Sequence, residues 1–151
     1  MRIAIAIALG LATLPLWWHA PAAEPEAKSS VFTGKVMLLK EYLEKQGGKI
    51  DRDAVPFAVV LVSEGKAYPI IKDDLGGRFF KDEQLLNKEY RVTARLVGGT
   101  MLQVLSVQSI KAGKPHDIYY WCDICAIRRH EKNDCECCGG PMELREEMIW
   151  K

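Results

Sequence analysis

Apolar and polar residues in the middle of this chain alternate with a period of two. Tyr90, Val92, Ala94 and Leu96 interleave with Arg91, Thr93 and Arg95, the pattern of a strand with one buried face. Val97-Gly98-Gly99-Thr100 predicts a turn, and Met101 to Ile110 a returning strand. In that second strand the apolar phase runs Leu102, Val104 and then Leu105, Val107, a slip that predicts a β-bulge. Upstream, Val31 to Leu39 is rich in strand formers, and its Gly34 marks a bulge or bend. Phe57 to Val62 is an unbroken apolar run, expected to be a strand buried on both faces. Ser63-Glu64-Gly65-Lys66 turns it into a return strand over Ala67 to Ile71, which Pro69 confines to an edge or a bulge.

Helical spacing is brief. Leu38, Leu39, Tyr42 and Leu43 share one face before Gly47-Gly48, which predicts a short helix packed on its own domain. Lys81 to Lys88 predicts a second, with Asp82 as its cap. Between them, Phe79 and Phe80 are expected in the core. Asp73 and Asp74 sit among glycines and lack further carboxylates, so an exposed loop is expected there rather than a calcium site.

The order is one strand, a hairpin, a short helix and a second hairpin. With phrases such as Thr33-Gly34-Lys35-Val36, Glu89 to Leu96 and Leu102-Gln103-Val104, it resembles the five-stranded OB-fold barrel over about 80 residues. The resemblance implies a face for oligosaccharides or nucleic acid, on which Arg91 and Arg95 would lie, with Lys35 near. No aromatic residue interleaves with these bases, as a solvated strand face also predicts.

All five cysteines fall within seventeen positions, Cys122 to Cys138. Cys122, Cys125, Cys135 and Cys138 have the spacing C-x2-C-x9-C-x2-C, which lets two loops each offer a thiolate pair to one tetrahedral ion, as in a closed structural zinc site. Gly139 suits the tight reversal after the last of them. Cys137 is left over, as a free thiol or an alternative ligand, and His130 is a further alternative ligand. Arg128, Arg129 and Lys132 are placed to offset the charge of four thiolates. Strand-forming residues surround both pairs: Ile118 to Trp121, Ala126 to His130, and Met142 to Glu146.

This plan resembles a zinc ribbon over about 30 residues. It is also similar, more weakly, to the heavy-metal-binding modules of bacterial efflux proteins. Those run tyrosine, Cys-Pro-Met-His, then Cys-Pro-x-Cys-Gly-Met. Here Cys125 stands in place of the histidine and Gly140-Pro141-Met142 in place of Gly-Met, which argues against transport and leaves metal binding. Two disulfides, or a thiol–disulfide pair, are the competing accounts of the cysteines. The strand-helix context of a thioredoxin-like redox site is missing from the sequence around Cys122.

Composition places these elements in a compartment. Met1-Arg2, an apolar run of sixteen residues from Ile3 to Trp18, and Ala20-Pro21-Ala22 predict a secretory signal peptide cut after Ala22. The run is shorter than the roughly 18 to 20 residues of a spanning helix and contains Pro15, so no membrane span is expected after cleavage. Without Arg2 the chain carries 20 Lys+Arg against 20 Asp+Glu, and so lacks the basic field that drives nucleic-acid binding. No Ser/His/Asp set or phosphate-binding glycine loop occurs, and beyond residue 22 the histidines are His116 and His130.

The sequence thus predicts a mainly β chain. Residues 1–22 form the signal peptide, 23–30 a lead-in, 31–117 an OB-like barrel with one or two short helices, and 118–151 a three-stranded zinc ribbon. The expected function is that of an extracytoplasmic, periplasmic or secreted, non-enzymatic binding or assembly module with a protein or glycan partner. The alternatives are extracytoplasmic metal or thiol handling, and oligosaccharide or nucleic-acid binding by the barrel. Tyr119, Tyr120, Trp121 and Trp150 are expected to pack on the barrel or to form the partner surface.

Overall fold

The computed structural model describes residues 28–47, 49, 51, 53 and 55–149. The expected signal peptide, most of the lead-in, Gly48 and Trp150 lie outside them. Among these residues the fold has eight strands: β1 (Ser29–Leu38), β2 (Val59–Ser63), β3 (Lys66–Pro69), β4 (Glu89–Val97), β5 (Met101–Lys111), β6 (Lys114–Cys122), β7 (Ile127–Arg129) and β8 (Glu143–Met148). Helix α1 (Leu39–Lys45) follows β1, and α2 (Arg78–Lys81) with a 3-10 turn at Glu83–Leu85 precedes β4. The second expected helix therefore starts three residues early and is split. Asp82 stands at the split and caps the 3-10 turn, its Oδ1 accepting from the Gln84 N–H at 3.1 Å.

The expected five-stranded barrel is replaced by one antiparallel open sheet of eight strands. Its order is β3-β2-β1-β4-β5-β6-β7, with β8 pairing β6 off this path. The physical reason lies at both ends of the predicted barrel. Strand β3 is four residues long and ends at Pro69, which has no N–H to donate; beyond it one isolated parallel bridge joins Ile70 to Leu102, with the Ile71 N–H donating to the Leu102 carbonyl at 2.9 Å. Strand β5 gives its far end to β6 instead. Ala112 and Gly113, both at positive φ, turn the chain tightly between Lys111 and Lys114. This hairpin has little signature in the residues, because Ala-Gly is a weaker turn signal than Asn-Gly or Asp-Gly.

Alternation and bulge are as the pattern predicts. Tyr90, Val92 and Ala94 are fully buried, and so are Leu102, Val104 and Val107 to within a few per cent. The register slips between Thr93 and Ala94, pairing Thr93 with Ser106 and Ala94 with Val104, so Leu105 is the unpaired residue and faces solvent. Leu96, past the core, is exposed. Phe57 departs from expectation: it precedes β2, is 66% exposed and makes a T-shaped contact with Phe80, ring centroids 6.0 Å apart. Gly34 lies where β1 passes from β4 to β2, and a Cβ there would overlap the Val62 carbonyl oxygen. Phe79 packs edge-on against Tyr90 with ring centroids 5.1 Å apart, and the Tyr90 hydroxyl donates to the Leu85 carbonyl at 2.8 Å.

Strand β6 is paired along both edges. Lys114 to Asp117 pair with β5, Tyr120 to Cys122 with β7, and His116 to Trp121 with β8. It is also tied from beneath by the α2 segment. The buried Arg78 donates from Nη1 to the Ile118 carbonyl and from Nε to the Leu75 carbonyl, each at 3.1 Å. The Tyr120 hydroxyl donates to Asp82 Oδ2 at 2.8 Å, and the Lys132 ammonium lies 3.4 Å from Oδ1. Lys81 reaches Glu131 in an ion pair and Asn133 in a hydrogen bond.

Burial would raise the Asp82 pKa, but hydrogen bonds from Tyr120, Gln84 and Lys132 outweigh it and hold it below its ordinary value. Glu146 behaves alike, with burial opposed by Ser109 and Lys111. A carboxyl depressed in the folded state stabilises above its unfolded pKa, and that contribution disappears as pH falls through the folded value. Urea unfolding of the wild type from pH 6 to pH 2 should therefore lose stability steeply below about pH 4. Asp82→Asn should be less stable at neutral pH and show a shallower acid limb; identical slopes would remove Asp82 from this role.

Candidate metal centre

Each cysteine pair sits on a turn of the same construction. Cys122 ends β6, and the Ala126 N–H donates to its carbonyl at 2.9 Å before β7 begins. In the second turn the Gly139 N–H donates to the Cys135 carbonyl at 2.7 Å, and the Cys135 N–H donates to the Gly140 carbonyl at 2.8 Å. The residue after each Cys-x-x-Cys has positive φ, 53° at Ala126 and 69° at Gly139. The glycine was legible in the sequence. Its counterpart at Ala126 was not, because alanine carries no signal for a left-handed residue.

The two turns converge. The Sγ atoms of Cys122, Cys125, Cys135 and Cys138 all lie within 4.8 Å of one another, a set that can hold a metal ion. Cys122 and Cys138 are 3.6 Å apart. Four sulfurs at about 2.3 Å from one tetrahedral ion would stand about 3.8 Å from each other, and a disulfide needs about 2.05 Å. None of the five cysteines is bridged. The sulfurs cluster around one point rather than in two separate pairs, the arrangement a single ion needs.

Backbone N–H groups point into the cluster. Those of Cys138 and Cys137 favour the thiolate at Cys135 and bring its pKa down to about 7. The Gly140 N–H donates to Cys138 Sγ at 3.4 Å. At Cys122 the Cys125 N–H acts in the same sense, but burial and the sulfurs of Cys135 and Cys138 outweigh it and raise the pKa. The Cys125 thiol is pushed up by the sulfurs of Cys137 and Cys138, then by burial. At Cys122 and Cys125 neighbouring sulfurs disfavour the thiolate, and four thiolates brought together gain charge compensation from a cation. Cys122 and Cys135 are buried, Cys125 is half-buried, and Cys138 is exposed beside the exposed Cys137.

The expected offsetting bases are engaged elsewhere. Arg128 pairs with Asp117, Arg129 with Glu136 and Lys132 with Asp82. Strand alternation divides the aromatics. Tyr120 faces inward to Asp82, with Cys122, Cys135 and Met142 in a small core beside it. Tyr119 and Trp121 take the other face, where the Arg128 guanidinium lies 4.1 Å from the Tyr119 ring centroid and that of Arg145 lies 5.4 Å from Trp121. His130 is exposed and outside the sulfur cluster.

Arg91 and Arg95 share one face of β4, with Arg95 opposite Ser29 and Gln103. Arg91 joins Val31, Thr93, Gln108, Pro115 and Ile149 around an open groove of about 440 Å³. Among the described residues no aromatic ring lines it. Among the described residues no helix is long and apolar enough to cross a membrane.

No protein family matches the sequence, and neither the curated proteins nor the solved structures compared with it include a similar chain. The functional reading therefore rests on the site's own chemistry.

The paired turns make a prediction of opposite signs. Ala126→Gly should stabilise the chain by up to about 1 kcal/mol, and Gly139→Ala should destabilise it by about 1 to 2 kcal/mol, because a left-handed residue strains any side chain with a Cβ. Thermal or urea unfolding measures both. Equal effects of the same sign would contradict the shared turn geometry.

Proposed function

We propose that Cys122, Cys125, Cys135 and Cys138 hold one structural zinc ion, making residues 118–151 a zinc ribbon. In this reading the chain is an exported, non-enzymatic binding or assembly module. The observation that carries the metal assignment is the convergence of four sulfurs, from two turns of like construction, within 4.8 Å. Zinc is favoured because four thiolates in a closed tetrahedral set are its usual structural environment. Four protein ligands leave no position for water, so the ion's role is to hold the module together rather than to activate a nucleophile. The module needs this help: among the described residues the core cluster around the sulfurs is Tyr120, Cys122, Cys135 and Met142, two of the four being ligands. Export rests on the pattern of residues 1–22, and a protein or glycan partner is the companion proposal for the rest of the chain.

A second reading, metal or thiol handling, is favoured by one observation. Cys137 and Cys138 are both exposed, and the Cys137 sulfur acts on Cys125, so a fifth thiol stands beside the ligands on the open side of the cluster.

Native mass spectrometry with metal analysis and thiol counting, on the mature chain from its own compartment, separates these readings. The structural reading expects a chain beginning at Ala23, one zinc per chain, and four thiols protected until a chelator is added. Serine at any of the four positions should weaken zinc binding by more than the roughly 10- to 100-fold that outer partners cost. Cys137→Ser should leave affinity and thermal stability unchanged. Loss of zinc exchange to a competing chelator in Cys137→Ser would instead support metal handling. A metal-free chain about 4 Da lighter than its reduced form would replace zinc with two disulfides.

A further inference from the structure

Beneath the bulge in β5 lies a small cavity of about 130 Å³ that belongs neither to the sulfur cluster nor to the Arg91 groove. Its polar lining is Arg78, Ser106, Asp117 and His130, and Leu75 and Leu105 contribute to its apolar wall. Arg78 is only 2% exposed, yet among the described residues no carboxylate stands in ion-pair contact with it. Its Nε and Nη1 donate to backbone carbonyls, which commits two of five N–H donors and neutralises none of the charge. Asp117, on the wall of the same cavity, acts on Arg78 from a distance and raises its pKa, though less than burial lowers it, and its oxygens are engaged elsewhere. Its Oδ2 pairs with Arg128 and its Oδ1 accepts from the Ile118 N–H at 3.0 Å. After burial, the positive charges of Arg78 and Arg128 are the larger influences at the His130 ring, and they outweigh Asp117.

A buried guanidinium with no carboxylate in contact is costly unless one is supplied, and Arg is the side chain best shaped to take two oxygens at once. The space equals that of about four waters, enough for a carboxylate and one or two carbons. We propose that this cavity binds a small carboxylate, the Arg78 guanidinium taking its oxygens and the Leu75 and Leu105 wall its short alkyl stem. The bulge builds the entrance by turning Leu105 and Ser106 outward, and Ser106 and His130 stand there as hydrogen-bonding partners.

The test uses the folded chain with its metal, titrated with sodium propionate against sodium chloride at equal ionic strength and followed by nuclear magnetic resonance. Saturable millimolar binding is expected, with shifts confined to the neighbourhood of Arg78, Ser106 and His130. Because Arg78 also ties β6, Arg78→Met can fail to fold. Ser106→Leu fills the entrance from an exposed position and should weaken binding at least tenfold while the remaining spectrum stays unchanged; Arg78→Lys should weaken it by a similar factor. Shifts that do not saturate, that chloride reproduces, or that persist in Ser106→Leu would overturn the proposal. An acetylated dipeptide with a free carboxylate, compared with its amide, identifies the source. Preference for the dipeptide over propionate, lost in the amide, assigns the site to a peptide C-terminus. Preference for propionate assigns it to a free acid.

Discussion

The fold depends on one buried hydrogen bond, that of the Tyr120 hydroxyl to Asp82. Asp82 is 3% exposed on its side chain, and a carboxylate in that position is tolerated only because three donors meet it, from Tyr120, Gln84 and Lys132. Those donors come from three parts of the chain: β6, the 3-10 turn and the segment between the cysteine turns. One carboxylate therefore fixes where β6 lies over the main core and where the chain between the two cysteine pairs runs. Arg78 adds a second tie from the same segment to the Ile118 carbonyl.

Those ties place the sulfurs. Tyr120 points into the core, so its neighbours Tyr119 and Trp121 point away, and Cys122 returns to the buried side at the strand's end. Lys132 at Asp82 and Glu131 at Lys81 then hold the chain that leads to Cys135. The cluster is thus assembled by a continuous sheet together with a polar contact beneath it. The bases near the cysteines are spent on this scaffold, with Arg128, Arg129 and Lys132 each facing a carboxylate. A bound cation would be the main compensation for thiolate charge.

The bulge links the remaining features. One extra residue in β5 moves Leu105 from the core to the surface, which keeps Val104 and Val107 both inside and opens the cavity beside Arg78. Elsewhere on the sheet, Arg91 and Arg95 share a face of β4 on which, among the described residues, no aromatic ring lines the groove. What distinguishes this chain chemically is therefore concentrated around β6: the sulfur cluster at its end and the buried guanidinium beneath it.

Much of this was legible in the residues. The period-two pattern of Tyr90, Val92 and Ala94, the phase slip after Val104, Asp82 as a cap and the C-x2-C-x9-C-x2-C spacing are local signals, and the structure keeps each of them. They are local because a strand's face, a turn and a chelate pair are decided by residues a few positions apart. The open sheet in place of a barrel, the turn at Ala112-Gly113, the left-handed Ala126 and the exposure of Phe57 were not legible. Those depend on which strand edges meet and on contacts across tens of residues, such as Tyr120 with Asp82, where many pairings satisfy the same pattern and packing of the whole chain selects one.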